Sequence, residues 1–260
     1  MDKLSYEEVP GGLLIRSTLT NQLVVQFEYL LQQIVSSKNG SPMAYEMLSR
    51  LSSDLEDQCV DCESFFSNID EKLIKNVFIS QLRWISDHNC ANSLDLISLN
   101  LTLSCLCDEQ FVNQIICETH GPIAIEINEF ERATLTTELI NNIRMLQRFG
   151  HQVWLDDYLP HCQSANDTLG VIDWDMIKID KTYLYTSDND SVRMQLLIKY
   201  LHKYSGQGII IEGIETNMQR AQFKREGIYL QGFYFGYPQS ALRSTHAISN
   251  RQKSLVDGFH

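Results

Sequence analysis

The feature that most constrains this chain is a series of short apolar runs, each closing on a polar residue suited to a metal ion or a phosphate. MAYEML carries Glu46, LDLISLN ends at Asn100, PIAIEI holds Glu126 and VWLDD ends at Asp156 and Asp157. MIKID holds Lys178, GIIIEGIE holds Glu212 and Glu215, and IYLQGF holds Gln231. Apolar runs of about four to eight residues, separated by stretches with helical spacing, read as buried strands. Together with the earlier run LVVQFEYLLQQIV they make eight strands, and the pattern predicts an α/β protein of the (β/α)8 barrel type. In such a barrel the C-terminal ends of parallel strands share one face, so these polar ends converge.

One irregularity is expected at the start. Asn39-Gly40 lies between the first two apolar runs and is a strong hairpin signal, so the first strand should run antiparallel to the second. Helical spacing follows over 65–86, with Ile69, Leu73, Val77, Leu82, Trp84 and Ile85 in register, and again near 108–119, 135–149, 191–204 and 217–226. Gly150 is placed to stop the third of these. The stretch YLPHCQSANDTLG after Asp157 reads as irregular. The expected organisation is a lead-in segment over 1–20, one barrel over 21–245 and a polar tail over 246–260, with no second domain in view.

Composition excludes several classes. A net charge of -12 argues against a general nucleic-acid or membrane-surface binder, which needs basic surface, but permits an anionic substrate where bound cations reverse the local sign. No apolar stretch reaches the roughly 20 residues of a membrane span, and the N-terminus lacks a signal-peptide core, so a cytoplasmic location is expected. Seven cysteines, odd in number and irregular in spacing, form no disulfide framework. Cys105, Cys107 and Cys117 lie in or beside apolar stretches and read as reduced core thiols. Cys59 and Cys62 make one C-x-x-C with no second pair at zinc spacing.

The strand-end set is rich in oxygen ligands, with six carboxylates (Glu46, Glu126, Asp156, Asp157, Glu212, Glu215), the Asn100 amide and one lysine, Lys178. Such ligands suit hard ions such as Mg²⁺ or Mn²⁺ rather than zinc. Two such ions about 3.5–4 Å apart would stabilise both the attacking and the leaving oxygen of a phosphoryl displacement. Neighbouring Asp156 and Asp157 cannot point the same way from an ideal strand, so one is expected to bridge while the other turns toward a second ion.

The same residues resemble a known family, the EAL-domain phosphodiesterases that hydrolyse cyclic di-GMP. YEMLSR at 45–50 is similar to the E-A-L-L-R signature, with Met47 in place of Ala, and Gln32 precedes Glu46 at the usual interval. LNLT at 99–102, EINE at 126–129, LDD at 155–157, KIDK at 178–181, EGIET at 212–216 and QGFYFGYP at 231–238 follow in the family's order. The resemblance runs from about Gln32 to Pro238.

It implies Glu46, Asn100, Glu126 and Asp156 as ligands of one metal ion, and Asp156, Asp157 and Glu212 around a second, with Asp156 shared. Lys178 would hold or activate the attacking water, and Glu215 would orient the metal-side groups. Gln32, Arg50 and Gln231 would contact the substrate, since a guanidinium such as that of Arg50 can grip phosphate or a guanine edge in bidentate fashion. The implied activity is metal-dependent opening of cyclic di-GMP to linear pGpG in bacterial signalling of the kind that governs motility and biofilm, with dimer formation through the barrel.

The largest departure follows the Asp pair. Where the family has a glycine loop, D-D-F-G-T-G-x-x-S, this chain reads DDYLPHCQSAND, with Pro160 and no glycine until Gly170. Proline fixes φ and glycine permits positive φ, so the backbone must take another path. Glu129, whose counterpart steadies that loop, would lose its usual partners, although no metal ligand is lost. His161 and Cys162 in this loop offer softer donors. The altered loop keeps a second expectation open: a weak or inactive barrel that binds the dinucleotide or a protein and acts as a regulator.

Overall fold

The computed structural model describes residues 4–53, 56–60, 70–89, 96–128, 134–186 and 191–243, with 56–60, 89, 186 and 191 as backbone only. In chain order the elements are β1 (Leu4–Val9), β2 (Gly12–Ser17), β3 (Leu23–Ser36), β4 (Pro42–Ser53), β5 (Glu56–Val60) and α1 (Glu71–Asn89). Next come β6 (Leu96–Thr102), a 3-10 turn (Leu103–Cys107), α2 (Glu109–Glu118), β7 (Ala124–Asn128), α3 (Thr137–Arg148) and β8 (Gln152–Tyr158). The chain continues through α4 (Gln163–Thr168), β9 (Trp174–Ile179), α5 (Lys181–Thr186), α6 (Ser191–Leu201), β10 (Ser205–Ile211), α7 (Asn217–Gln222), β11 (Ile228–Leu230) and β12 (Gln239–Ser240).

Strands β3, β4, β6, β7, β8, β9, β10 and β11 pair around a closed ring. All neighbours are parallel except β3, which is antiparallel to both β4 and β11. The expected (β/α)8 barrel with its first strand reversed is therefore present. The β3–β4 turn closes as the sequence predicts. Gly40 sits at φ 75°, and Asn39 Oδ1 accepts from the Ser41 backbone N–H at 3.1 Å.

Residues 4–17, read above as a lead-in segment, form the β1–β2 hairpin, and β2 extends the sheet alongside β3. Gly12 is forced to be glycine, because a Cβ there would meet the Phe27 carbonyl oxygen at 2.0 Å. The helices form where apolar spacing meets cap chemistry. Asp108 accepts from the N–H groups of Gln110 and Phe111 to start α2. After α3, Gly150 at φ 90° bonds back to Gln147 and His151 to Leu146, the paired bonds of a glycine-terminated helix.

The barrel interior is layered by the two-residue period of its strands. Ile34, Ala44, Ala124, Trp154, Met176 and Ile210 form one compact apolar cluster, fully or almost fully buried. Each lies two positions from a polar residue on the same strand or just past its end: Gln32, Glu46, Glu126, Asp156, Lys178 and Glu212. Inward-facing side chains thus switch from an apolar floor to a polar layer in one strand step. On the reversed strand β3 the order inverts, with Gln32 preceding Ile34. Outside the ring, the larger core fills the space between strands and helices, with Leu82, Leu106, Val112, Leu139, Leu146 and Leu201 among its buried members.

One register break matters for the site. Leu155 pairs with Ile177, but the next pair is Tyr158 with Ile179, so β8 carries one extra residue between them. This is a β-bulge holding Asp156 and Asp157, and Asp157 adopts φ 50°, one of only two positive-φ non-glycine residues among the described residues. A regular strand would point the neighbouring aspartates to opposite faces; the bulge instead lets both reach one side, with oxygens of both within 4.8 Å of Glu212.

The irregular reading of 158–170 is corrected in part. It contains helix α4, and its ends are anchored by side chains that propensity does not reveal. Tyr158 Oη donates to Asn166 Oδ1 at 2.8 Å, Asn166 Nδ2 donates to the Pro160 carbonyl at 3.0 Å, and Trp174 Nε1 donates to Thr168 Oγ1 at 3.1 Å. Of the thiols, Cys105 is buried as expected, but Cys107 and Cys117 are exposed. These two follow the ends of their apolar stripes and face water. The C-x-x-C pair falls outside the residues whose side chains are described.

Two outcomes test this architecture. His151 is buried, its Nδ1 has no hydrogen-bond partner, and burial holds its pKa below the ordinary 6.5. The unfolded chain then binds the proton more readily, so stability is full above pH 6.5 and falls as pH drops toward the folded value. Thermal unfolding between about pH 7 and 5 should show that fall in the wild type and a flatter profile in His151→Gln. At the bulge, Asp157→Gly should leave the melting temperature unchanged or raised. Asp157→Val, with a branched side chain at positive φ, should lose about 1–3 kcal/mol in denaturant titrations.

Candidate functional site: an acid layer around a buried lysine

The polar layer is centred on Lys178, which projects inward from β9 and is 1% exposed. Its Nζ lies 2.6 Å from Glu126 Oε2, 2.9 Å from Asp156 Oδ1, 2.9 Å from Glu212 Oε1 and 3.4 Å from Glu46 Oε2. Strands β4, β7 and β8 and the residue just past the end of β10 thus each send a carboxylate to one ammonium on β9. Burial alone would depress Lys178, but Asp156, Glu126, Glu212 and Glu46 together hold its pKa well above the ordinary lysine value.

Neutral amides complete the layer on the β3–β4 side. Asn100 Nδ2 donates to Glu46 Oε1 at 2.9 Å, and Gln231 Nε2 donates to Glu46 Oε2 at 2.6 Å. Gln231 Nε2 also lies 3.2 Å from Gln32 Oε1. Gln32 Nε2 in turn donates to the Gly236 carbonyl at 3.2 Å, and Gln33 Nε2 donates to the Phe235 carbonyl. The loop after β11 is therefore tied to β3 by two adjacent glutamines.

These contacts divide the acids by charge. Burial pushes Glu46 up, but Lys178, Asn100 and Gln231 outweigh it and hold Glu46 below the usual glutamate value. Glu126 is raised well above that value by burial and by the neighbouring Glu46. Burial also raises Asp156, and it lifts Glu212 to about 7. Asp157 is pushed up to about 8, first by Asp156 beside it, then by burial and Glu212. Carboxylates far outnumber the one ammonium, and the upward shifts mean that Glu126, Asp156, Asp157 and Glu212 hold protons more readily than free acids unless another cation takes the protons' place.

That excess has the chemistry of a hard-cation site. Ligand oxygens of Asp156, Asp157 and Glu212 lie within 4.8 Å of one another, the one group of three or more potential His, Cys, Asp or Glu ligands among the described residues. Glu126 is fully buried, and its Oε1 has no hydrogen-bond partner, which leaves one oxygen of this acid free to ligate a cation. Carboxylates and an amide oxygen, without thiol or imidazole, fit Mg²⁺, Mn²⁺ or Ca²⁺. The bulge in β8 is what lets consecutive aspartates share this cluster.

The sequence-predicted residues do not all arrive at one place. Glu46, Asn100, Glu126, Asp156, Glu212, Lys178, Gln231 and Gln32 form one connected network. Asp157 joins it through Asp156 and Glu212 while remaining open to solvent. Arg50 lies four residues beyond Glu46 on β4, exposed at the rim, and pairs with Glu28 Oε2 at 3.0 Å. Glu28 stands opposite Arg50 on β3, as Gln32 stands opposite Glu46.

Glu215 is outside the acid layer. It is exposed, and its Oε1 accepts from Tyr185 Oη at 3.0 Å. The same hydroxyl lies 3.1 Å from the Gly213 carbonyl, so Tyr185 clamps the loop that carries both Glu212 and Glu215. Sequence reasoning missed Tyr185, whose signal is an unexceptional aromatic 30 residues away. Gly213 is required there, because its φ is 72° and an added Cβ would meet Lys181 Cβ at 2.6 Å. His161 and Cys162 belong to no ligand cluster among the described residues, and Glu129 lies outside them.

Comparison with known proteins bears on the family and the fold. The chain is 26% identical over 254 residues to a protein of Escherichia coli (strain K12) named "Probable cyclic di-GMP phosphodiesterase PdeA", covering 90% of this chain and 34% of that protein. It spans about a third of the length of the curated relatives it matches. Among solved structures it superposes on an EAL domain protein from Listeria monocytogenes EGD-e with a TM-score of 0.72 and 20% identity, over 86% of this chain and 92% of that one. It also superposes on the Bacillus subtilis YkuI protein, which has an EAL domain and was solved with its substrate c-di-GMP and calcium, with a TM-score of 0.66 and 21% identity. That match covers 88% of this chain and 63% of the other. At these identities the structural likeness is one of fold. The family model described as EAL domain matches residues 15–238, most of the chain, and the chain belongs to the EAL domain family.

Proposed function

We propose that this barrel hydrolyses cyclic di-GMP to linear pGpG with the help of divalent cations, Mg²⁺ or Mn²⁺, two per site, and so lowers a bacterial second messenger. The observation that carries the reading is the convergence of Glu46, Asn100, Glu126, Asp156 and Glu212 on Lys178, with Asp157 beside them. A structural core has no use for that much buried like charge, whereas phosphoryl transfer does. Membership of the EAL domain family and the printed name of the relative PdeA support the same substrate.

Hydrolysis adds water across one P–O3′ bond of the cyclic dinucleotide, leaving a 5′-phosphate on one nucleotide and a 3′-hydroxyl on the other. When bound, divalent cations would polarise the phosphodiester and neutralise charge developing on its oxygens. Glu46, Asn100, Glu126 and Asp156 would hold one, and Asp156, Asp157 and Glu212 the other. The remaining work belongs to the chain's own groups. Lys178 Nζ presents three N–H donors from a water-excluded wall and can orient the attacking water or a nonbridging oxygen. Gln231 and Gln32, braced by Glu46 and the Gly236 carbonyl, fix the adjacent edge of the mouth. Arg50 at the rim can exchange Glu28 for a phosphate or a guanine edge at little cost, since both partners of that pair are well exposed.

A second reading has one observation behind it. The loop after Asp157 is held by Tyr158, Asn166 and Thr168 around a short helix rather than built on glycines. A barrel with that loop could bind the dinucleotide and signal through a partner without turnover. Incubation of the purified chain with Mg²⁺ or Mn²⁺ and cyclic di-GMP, followed by chromatography of the nucleotides, separates the two. The expected outcome is pGpG formation reduced about 100-fold or more in Glu46→Ala, which removes a ligand and the partner of Asn100, Gln231 and Lys178. Nucleotide binding with no product above that variant would favour the regulator.

A further inference from the structure

Lys178 and any divalent cation in this site draw on the same oxygens. Asp156 and Glu212 lie in the convergent acid trio, and both also lie 2.9 Å from Lys178 Nζ. Glu126, a proposed ligand of the other ion, makes the shortest contact to the lysine, 2.6 Å. We infer that Lys178 is the internal competitor of the divalent cation and thereby sets how tightly this site holds the ion. This rests on the proposed reading of the layer as a divalent-cation site.

The geometry leaves the ammonium little alternative. Its stem rises from β9 above buried Met176, and the residue is 1% exposed, so Nζ cannot exchange carboxylates for bulk water where it stands. A structural ion pair would need one or two acids, yet four lie within 3.4 Å and Glu126 Oε1 is still unpaired. A cation entering among Asp156, Asp157 and Glu212 faces the lysine's positive charge at close range in a low-dielectric wall, and must loosen its hold on at least two of them. Removing the lysine charge has two linked effects: the acids bind a divalent ion more tightly, and the fold loses its own counter-charge. A lysine that only oriented substrate would produce neither effect with the metal alone.

The test uses the full chain and Mg²⁺ without nucleotide, followed by calorimetry and thermal unfolding at about pH 8.5, where protons compete least for the carboxylates. Lys178→Met should bind Mg²⁺ about tenfold tighter or more than wild type, melt lower without Mg²⁺ and gain more on its addition. Equal or weaker binding by the variant overturns the inference while leaving the divalent-site reading standing. Binding by neither protein overturns that reading and the inference with it. Should Lys178→Met fail to fold, wild type labelled with ¹⁵N at lysine Nζ supplies the answer, its Lys178 signal assigned by its loss in Lys178→Arg. That signal should move on Mg²⁺ addition with the half-saturation seen by calorimetry, and a signal unmoved at saturation overturns the inference.

Discussion

A buried ammonium surrounded by more carboxylates than it can neutralise is the constraint around which this barrel is organised. Lys178 draws Glu46, Glu126 and Asp156 from three different strands, and Glu212 from just past the end of a fourth, to within 3.4 Å of one atom. Bringing those charges out of water is unfavourable unless each finds a partner, and isolated buried ion pairs rarely stabilise a fold on their own. The favourable free energy comes from elsewhere, from the apolar floor of Trp154, Met176, Ile210 and their neighbours and from the wide core beneath the helices. The floor stabilises the fold, and the layer above it spends part of that stability on a site under electrostatic tension, as functional sites commonly do.

Much of this was legible in the sequence because the governing period is short. A strand's side chains alternate with period two, so an apolar run that closes on a charged residue fixes both an inward floor residue and an inward polar residue above it. Ala44 with Glu46, Ala124 with Glu126 and Met176 with Lys178 are such pairs. Asn39-Gly40 likewise announces the reversed first strand, since few residues enter the required turn at low energy.

What remained hidden depends on pairings that leave no periodic trace. The Pro10-Gly11-Gly12 turn marks a hairpin within residues 4–17, but that β2 bonds to β3 and so joins the sheet is a pairing its own residues do not announce. The clamp of Tyr185 on Glu215 spans 30 residues and puts that glutamate outside the acid layer, at a place its motif spacing did not suggest. The bulge at Asp156–Asp157 is the most consequential case. One extra residue in β8 and a positive φ at Asp157 turn consecutive aspartates toward a common cluster with Glu212. A period-two reading of the strand places them on opposite faces. The loop that follows has no glycine until Gly170, and Tyr158, Asn166 and Thr168 fix it by side-chain bonds, which support the backbone at the bulge.

The central claim is that these strand ends, with the bulge between them, form one divalent-cation site in the barrel mouth. Anomalous diffraction from crystals of the chain grown with Mn²⁺ tests it most directly. Anomalous peaks are expected within ligand distance of the Asp156, Asp157 and Glu212 carboxylates, with Lys178 drawn back from at least one of the acids it contacts. Fully occupied Mn²⁺ elsewhere on the protein, with no peak at this cluster, would contradict it.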